Sequence, residues 1–412
     1  MVTVVVLGAG NRGYEAYGKI IKNRPDIKAV AVAEPDEAKR DRFAKDHNIP
    51  VEMQFNSWED LLSKEKLADG SIITTLDRMH VEPAVTAMKK GYHIILEKPI
   101  DSTLDGVMKV VRAAEETKRI VVVGHVLRYT KFFRKLKEIV DSGVIGRLIG
   151  IEHKENVGFF HFAHSFVRGN WRKAESTAPS ILAKSCHDLD LLYWLVGARC
   201  KNISSFGELT YFKKENKPKG AADRCLDCPS EIESKCPYSA KKIYLTDYIG
   251  WPVSVISVDL SYEGRIRALK EGPYGRCVFS CDNDVVDHQI VNMSFENGVK
   301  ASFTMTAFSN EITRRIRIFG SLGEIRGEFG KGEIEVIKFA DLSKTVYELN
   351  VNSPEIGHGG GDWGLVAYFV ELLKGTTKAN PTDIRESVHS HFMAFAAEKS
   401  RLNGGGVIEV DR

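Results

Sequence analysis

No uncharged apolar run in this sequence approaches the roughly 20 residues that a bilayer-spanning helix needs, so no membrane partner is expected. Neither sign of charge dominates: 58 Lys and Arg face 55 Asp and Glu, for a formal net charge of +3. Nucleic acid is not an expected partner without a basic field to hold its phosphates. The densest basic cluster, Lys213, Lys214, Lys217 and Lys219, reads as a solvated loop. Internal repeats and low-complexity tracts are absent, which argues against solenoids. A signal peptide is not expected either, because residues 2–7 form an apolar β-type run that enters a glycine loop directly. Cytoplasmic localisation follows as the expectation. What is present is ordinary for a globular enzyme, with 43% hydrophobic and 27% charged residues. A length of 412 residues exceeds one core and suits two domains, or three at most.

Two periodicities divide the chain. Residues 1–125 alternate short apolar runs with helical segments, the pattern of strand–helix–strand units around a parallel sheet. Strands are expected at 2–7, 29–33, 71–75, 93–97 and 120–124. Helices between them open at caps such as Ser57 and close at glycines such as Gly91. A linking helix at 130–142 leads into a second domain, 126–412, where period-two, β-branched segments dominate. Asn297-Gly298 between 286–295 and 299–308 is a hairpin signal. Further strands at 312–319, 324–329, 333–339 and 346–351 extend a large, mostly antiparallel open sheet. Helices are expected at 179–196, 363–374 and 383–402. The fold class is therefore α/β at the amino end, where Gly8-x-Gly10-x-x-Gly13 between the first strand and the next helical segment marks a Rossmann-type dinucleotide-binding domain, followed by an α+β sheet domain.

Gly8-Ala9-Gly10-Asn11-Arg12-Gly13 matches G-x-G-x-x-G between a strand and a helical segment. Gly8 would make the tight turn, Gly10 would admit a pyrophosphate to the helix amino terminus, and Gly13 would allow close helix–strand packing. Asn11 and Arg12 lie on the same loop. Glu34, at the end of the second strand, would accept hydrogen bonds from ribose hydroxyls and repel a phosphate, which favours NAD over NADP. Arg40 stands too far along the next helix to act as a phosphate ligand by sequence alone.

Glu97-Lys98-Pro99 at the end of the fifth strand, the segment from Thr75 to His80, and Gly143-Val144-Ile145-Gly146 together resemble the Gfo/Idh/MocA family of oxidoreductases. The resemblance implies that Thr75, His80, Glu97 and Lys98 border the cofactor, and that Lys98 hydrogen-bonds the reacting hydroxyl. It also implies an acid–base histidine on the helix at 179–196, where His187 stands. His187 lies outside the apolar stripe, three residues from both Lys184 and Asp190; a core histidine bonded to Asp190 is the alternative. Many relatives carry aspartate four residues earlier; this chain has Ala183, followed by Lys184. A neighbouring cation disfavours imidazolium, so Lys184 would keep His187 a competent base; alternatively it pairs with Asp188.

The resemblance further places the polar and aromatic segment 153–172 at the substrate pocket. Its candidates are Asn156, His161, His164, Arg168, Trp171 and Arg172, joined by Arg128 and Tyr129 after the last Rossmann strand. His358 precedes three glycines and Asp362, which reads as a ligand approach or as an N-cap. Of seven cysteines, Cys225, Cys228 and Cys236 fall in an insertion at 213–247, and Cys277 and Cys281 follow. Three of them with Cys277 or Cys281 could build a closed structural zinc site; free thiols and a disulfide are the alternatives. The expected activity is NAD-dependent hydride transfer to or from a secondary hydroxyl of a sugar, inositol or polyol, in a homodimer or homotetramer. An NAD-dependent glycosidase using transient ring oxidation, and a non-enzymatic dinucleotide sensor, remain open beside it.

Overall fold

The computed structural model describes residues 1–351 and 357–410; residues 352–356 and 411–412, both within the second expected domain, lie outside the described residues. The amino-terminal half forms a six-stranded sheet from β1 (Val2–Leu7), β2 (Ile27–Ala33), β3 (Gln54–Phe55), β4 (Gly70–Ile73), β5 (His93–Leu96) and β6 (Val121–Val123). Its order is β3-β2-β1-β4-β5-β6 and every pairing is parallel. Strands buried on both faces account for runs such as VTVVVL and HIIL, in which apolar residues do not alternate. Helices on the two faces begin at side-chain caps: Asp36 accepts from Lys39 N, Ser57 from Asp60 N and Thr103 from Gly106 N. Strand order reverses between β1 and β4, so the loops after these strands flank the crevice where such sheets bind ligands.

The second sheet has nine strands: β7 (Leu148–Asn156), β8 (Cys200–Glu208), β9 (His288–Phe295), β10 (Lys300–Thr306), β11 (Thr313–Gly320), β12 (Gly323–Glu328), β13 (Glu333–Lys338), β14 (Lys344–Glu348) and β15 (Ile408–Glu409). Their order is β14-β13-β12-β11-β7-β10-β9-β8-β15, antiparallel except for the parallel pair β7 and β10. The Asn297-Gly298 turn does join β9 to β10, with Gly298 at φ 88°. Helices α1 (Cys186–Val196) and α3 (Ile384–Leu402) lie on one face, and residues such as Leu189, Leu192, Met393 and Ala397 share its core with Val291 and Phe303. Helix α2 (Gly361–Lys374) instead packs Leu365, Val366 and Phe369 into the core of the first sheet. The end of the chain thus braces the amino-terminal half.

Two sequence expectations change. The helix expected over 179–196 is broken: Ser180–Ala183 and α1 are separate, with Lys184 and Ser185 between them. Strands β7, β8 and β15 were not delimited by the periodicity. The cysteine-bearing insertion extends beyond 213–247 and includes a helix, Tyr262–Glu271. Arginines hold it by donating to main-chain oxygens: Arg224 to Leu269 and Gly272, Arg265 to Tyr244 and Thr246, Arg168 to Tyr238 and Arg276. Among the described residues no helix is long and apolar enough to cross a membrane.

Candidate active site

The glycine loop has the shape its spacing implies. Gly8 sits at φ +96°, and a Cβ there would lie 2.8 Å from the Thr74 carbonyl oxygen. A Cβ at Gly13 would lie 1.9 Å from Gly8 O, whereas one at Gly10 would meet nothing within 4 Å. The loop is therefore closed toward the sheet and open above Gly10, where a pyrophosphate can approach the backbone. Glu34 turns toward this loop: its Oε2 accepts from Ala9 N at 2.7 Å and its Oε1 from Asp36 N at 3.1 Å. Each oxygen keeps a lone pair for a ribose hydroxyl. Arg40 is nearer than its sequence position suggested, donating to Glu34 O at 2.8 Å. These residues fit a dinucleotide. Asn11 is exposed on the loop.

The Arg12 side chain departs from expectation. It turns away from the loop and donates to Glu97 Oε1 at 2.8 Å and to both oxygens of Asp362 at 2.6 and 3.2 Å. The Arg12 side chain is thereby tied to both domains. Burial would raise the Glu97 carboxyl, but the charges of Arg12 and Lys98 hold it below its ordinary range. Thr75 and His80 also act through the main chain. Thr75 Oγ1 donates to Met79 O, and the His80 ring lies 3.0 Å from Thr75 O and 2.7 Å from Pro99 O. His80 thereby ties the loop after β4 to the Glu97-Lys98-Pro99 turn.

From that turn Lys98 Nζ crosses to the second domain and donates to Ala183 O at 2.6 Å. His187 lies four residues further on, across the break and in the first turn of α1, buried and with an Nδ1 that has no hydrogen-bond partner. Burial first, then the charges of Lys98, His125, His358 and Arg314, hold the imidazole well below its ordinary value. This direction is the one expected for His187, but its causes are burial and then Lys98, not Lys184. Nor is Asp190 its partner: Asp190 receives two bonds from Arg128 at 2.7 and 2.6 Å and lies 3.2 Å from His125.

Lys184 pairs with Glu155 at 3.0 Å, not with Asp188. Arg314 bridges Glu155 and Asp188 at 3.0 and 2.8 Å, and His153 bonds Asp188 at 2.8 Å. Burial would raise Asp188, yet Arg314 and the His153 bond keep it ionised. Sequence reasoning missed Glu155, His153 and Arg314. The available signal was on β7, where Ile151, His153 and Glu155 follow one another on the inward face of a period-two strand and two of the three are polar. His161 and His358 complete the cluster. His161 carries a buried, unpartnered Nδ1 and packs edge-on with Trp251 at 4.6 Å between ring centres. His358, at φ 50°, bonds Asp362 at 2.9 Å, and its ring centre is 6.1 Å from that of His187. Asp362 does not act as an N-cap.

Several expected pocket residues have their polar groups bonded within the protein. Arg128 gives its third bond to Pro381 O, and Tyr129 is buried with its hydroxyl 2.8 Å from Thr382 Oγ1. His164 bonds the Tyr244 hydroxyl and stacks on Tyr274, inside the insertion. Arg168 is fully buried against carbonyls and Cys225 Sγ, and Arg172 pairs with Asp282. Trp171 donates to Asp77 at 2.9 Å, a contact between domains, and Asn156 is buried at the end of β7. All seven cysteines are free. Among the described residues no three His, Cys, Asp or Glu side chains converge as a metal ion requires, and the insertion is pinned by arginine–carbonyl bonds instead.

An open dinucleotide loop beside a lysine and a buried histidine at the edge of a parallel sheet is the site of an NAD-dependent oxidoreductase acting on CH–OH groups. The chain belongs to the Gfo/Idh/MocA family: the profile "Oxidoreductase family, NAD-binding Rossmann fold" matches residues 2–125, and "Oxidoreductase family, C-terminal alpha/beta domain" matches 137–408. YteT of Bacillus subtilis, an oxidoreductase by name, is 23% identical over 385 residues, covering 88% of this chain and 87% of its own. The 2,7-anhydro-N-acetylneuraminate hydratase of Mediterraneibacter gnavus is 25% identical over 214 residues, 50% of this chain and 52% of its own. A levoglucosan dehydrogenase, solved with NADH and levoglucosan, shares the fold at a TM-score of 0.72 and 16% identity, covering 100% of this chain and 99% of its own.

Proposed function

We propose that this chain moves hydride reversibly between NAD and a secondary hydroxyl of a sugar, inositol or related polyol, with Lys98 polarising the oxygen and His187 carrying the proton. The observation that carries the reading is the 2.6 Å bond from Lys98 Nζ to Ala183 O, which brings the ammonium of one domain to the segment presenting His187 in the other. NAD, when bound at the glycine loop, supplies the hydride acceptor. Lys98 donates to the carbinol oxygen and stabilises the negative charge that grows there. His187, neutral at the working pH, accepts the hydroxyl proton and returns it in the reverse direction. Lys184, Glu155, Arg314 and His161 line the same polar cluster and offer donors and acceptors to the remaining hydroxyls. Glu34 supports NAD over NADP, since its carboxylate would face a 2′-phosphate.

The named relatives support a carbohydrate substrate. One is a hydratase, whose net reaction is not a redox change, and this favours a second reading in which oxidation is transient and a glycosidic bond is eliminated. Both are tested by incubating the protein with NAD and a panel of polyols, free sugars and glycosides while following NADH absorbance and released aglycone. NADH without aglycone is the expected result; aglycone without net NADH selects the second reading, and neither product across the panel counts against both. We further propose a cytoplasmic homodimer or homotetramer. Phe206 and Ile290 pair across β8 and β9 and are exposed, which supports self-association through that sheet face.

A further inference from the structure

His187 has a difficulty as a lone acid–base group. It is buried, burial and its cationic neighbours hold it neutral, and a proton accepted from substrate therefore has to leave again. Tyr17 donates to Glu97, which also accepts from Arg12, and Asp188 and Asp190 are committed to Arg314, His153 and Arg128. Among the described residues, the ring beside His187 that also reaches solvent is His358, whose side chain is 41% exposed. His125, its other ring neighbour, is 1% exposed.

We infer that His358, oriented by Asp362, relays the proton between His187 and solvent. This rests on the hydride-transfer reading given above. Asp362 is ionised: burial would raise it, but Arg12 and His358 hold it far below the ordinary carboxyl range. An ionised carboxylate can only accept, so His358 Nδ1 is the protonated nitrogen and Nε2 is left for exchange. The groups facing His358 are Asp362, itself bonded to Arg12, the His187 ring with Lys98 and Arg314 behind it, and His161 with Lys184. With ring centres 6.1 Å apart, one water or substrate hydroxyl spans the gap.

Protons balance along this path. When the substrate carbinol loses hydride from carbon, its O–H bond breaks and a C=O bond forms. The released proton goes to the His187 imidazole, then to His358 Nε2 through the bridging hydroxyl, and then to buffer, which returns both rings to their starting state. Reduction runs the same path backwards. His358 acts through His187 and is a positioning and relay residue.

Two measurements test this on the full chain. In NAD-dependent oxidation of whichever polyol the wild type turns over, His358→Ala and His358→Gln are expected to lower kcat by on the order of 100-fold, the lower end for lost general acid–base catalysis. The loss is expected in kcat more than in KM, with NAD affinity within about twofold, because the relay is used in the chemical step. Imidazole in the buffer is expected to restore His358→Ala, with a rate that rises with buffer concentration, but not His187→Ala. Separately, nitrogen NMR of 15N-histidine protein is expected to show His358 as the Nδ1–H tautomer. A wild-type kcat in both variants, or a loss that imidazole does not restore, overturns the relay, as does an Nε2–H tautomer at His358. Absence of hydride transfer in the wild type across the whole panel is the distinct result that removes the underlying reading and the relay with it.

Discussion

Arg128 and Asp190 show how much of this site is scaffolding. Both are buried, and Asp190 is held below its ordinary carboxyl value by Arg128 and His125 against the opposing effect of burial. Asp190→Ala would strand a buried guanidinium, and the expected loss is about 3–5 kcal/mol in chemical unfolding. A loss within about 0.5 kcal/mol would show that the pair contributes nothing net. Lys184 separates differently. Since burial and Lys98 lead in keeping His187 neutral, Lys184→Met is expected to leave the acid limb of the pH profile for hydride transfer in place, although Glu155 then keeps only Arg314. A limb displaced upward by about one pH unit, about 1.4 kcal/mol, would return the tuning role to Lys184. Gly8, Gly10 and Gly13 were legible from a local pattern of fixed spacing, and Lys98 and His187 were singled out through the family resemblance. Glu155, Asp188 and Arg314 were not, because they meet only when β11 pairs with β7 and α1 packs over both, a juxtaposition of residues distant in sequence.

Single elements carry the next set of consequences. The glycine loop leaves no space at Gly13, where a Cβ would fall 1.9 Å from Gly8 O. Gly13→Ala must therefore displace the loop, and NAD binding measured by calorimetry is expected to weaken by on the order of tenfold or more, about 1.4 kcal/mol or above. Unchanged affinity would mean that the loop is not the pyrophosphate cradle. The insertion depends on Arg168, which is fully buried and donates to Arg276 O, Tyr238 O and Cys225 Sγ. Arg168→Met removes the guanidinium donors from those carbonyls, leaving Arg276 O only the Cys225 thiol, and limited proteolysis is expected to cut within 213–247 far faster than in the wild type. Equal cleavage rates would refute that dependence. Strands β1, β2, β4, β5 and β6 were readable from apolar runs between helices, and the Asn297-Gly298 hairpin from its turn residues. The insertion was not, since short helices held by arginine–carbonyl bonds leave no periodic trace and the clustered cysteines suggested a metal instead.

Across the whole molecule, several imidazoles are built into the fold as unprotonated acceptors. His391 Nε2 accepts from Ile100 N, joining α3 to the turn after Lys98, and His389 Nε2 accepts from Cys200 N. His93 Nδ1 accepts from Ile120 N between β5 and β6. Protonation would turn each acceptor into a donor facing an N–H. Burial accordingly pushes His391 down to about 3 and His389 to about 4, and lowers His93 with help from Arg119 and Lys66. His164, buried beside Arg168, also falls to about 3. The folded values lie below the unfolded value of 6.5, so between them the unfolded chain binds more protons. Stability is then full above about pH 6.5, declines as pH falls, and levels off for each group below its folded value. For His391 and His164 the loss at pH 5 is about 2 kcal/mol each. The ionised carboxylates Asp188 and Asp362 act in the same direction, but only below their unfolded value of 3.8. Thermal melting is therefore expected to occur at least about 5 °C lower at pH 5 than at pH 7.5, with His391→Gln flattening part of that slope. A melting temperature independent of pH over this interval would mean that these rings are protonated in the folded protein, and that the acceptor roles assigned to them at Ile100, Cys200 and Ile120 do not hold.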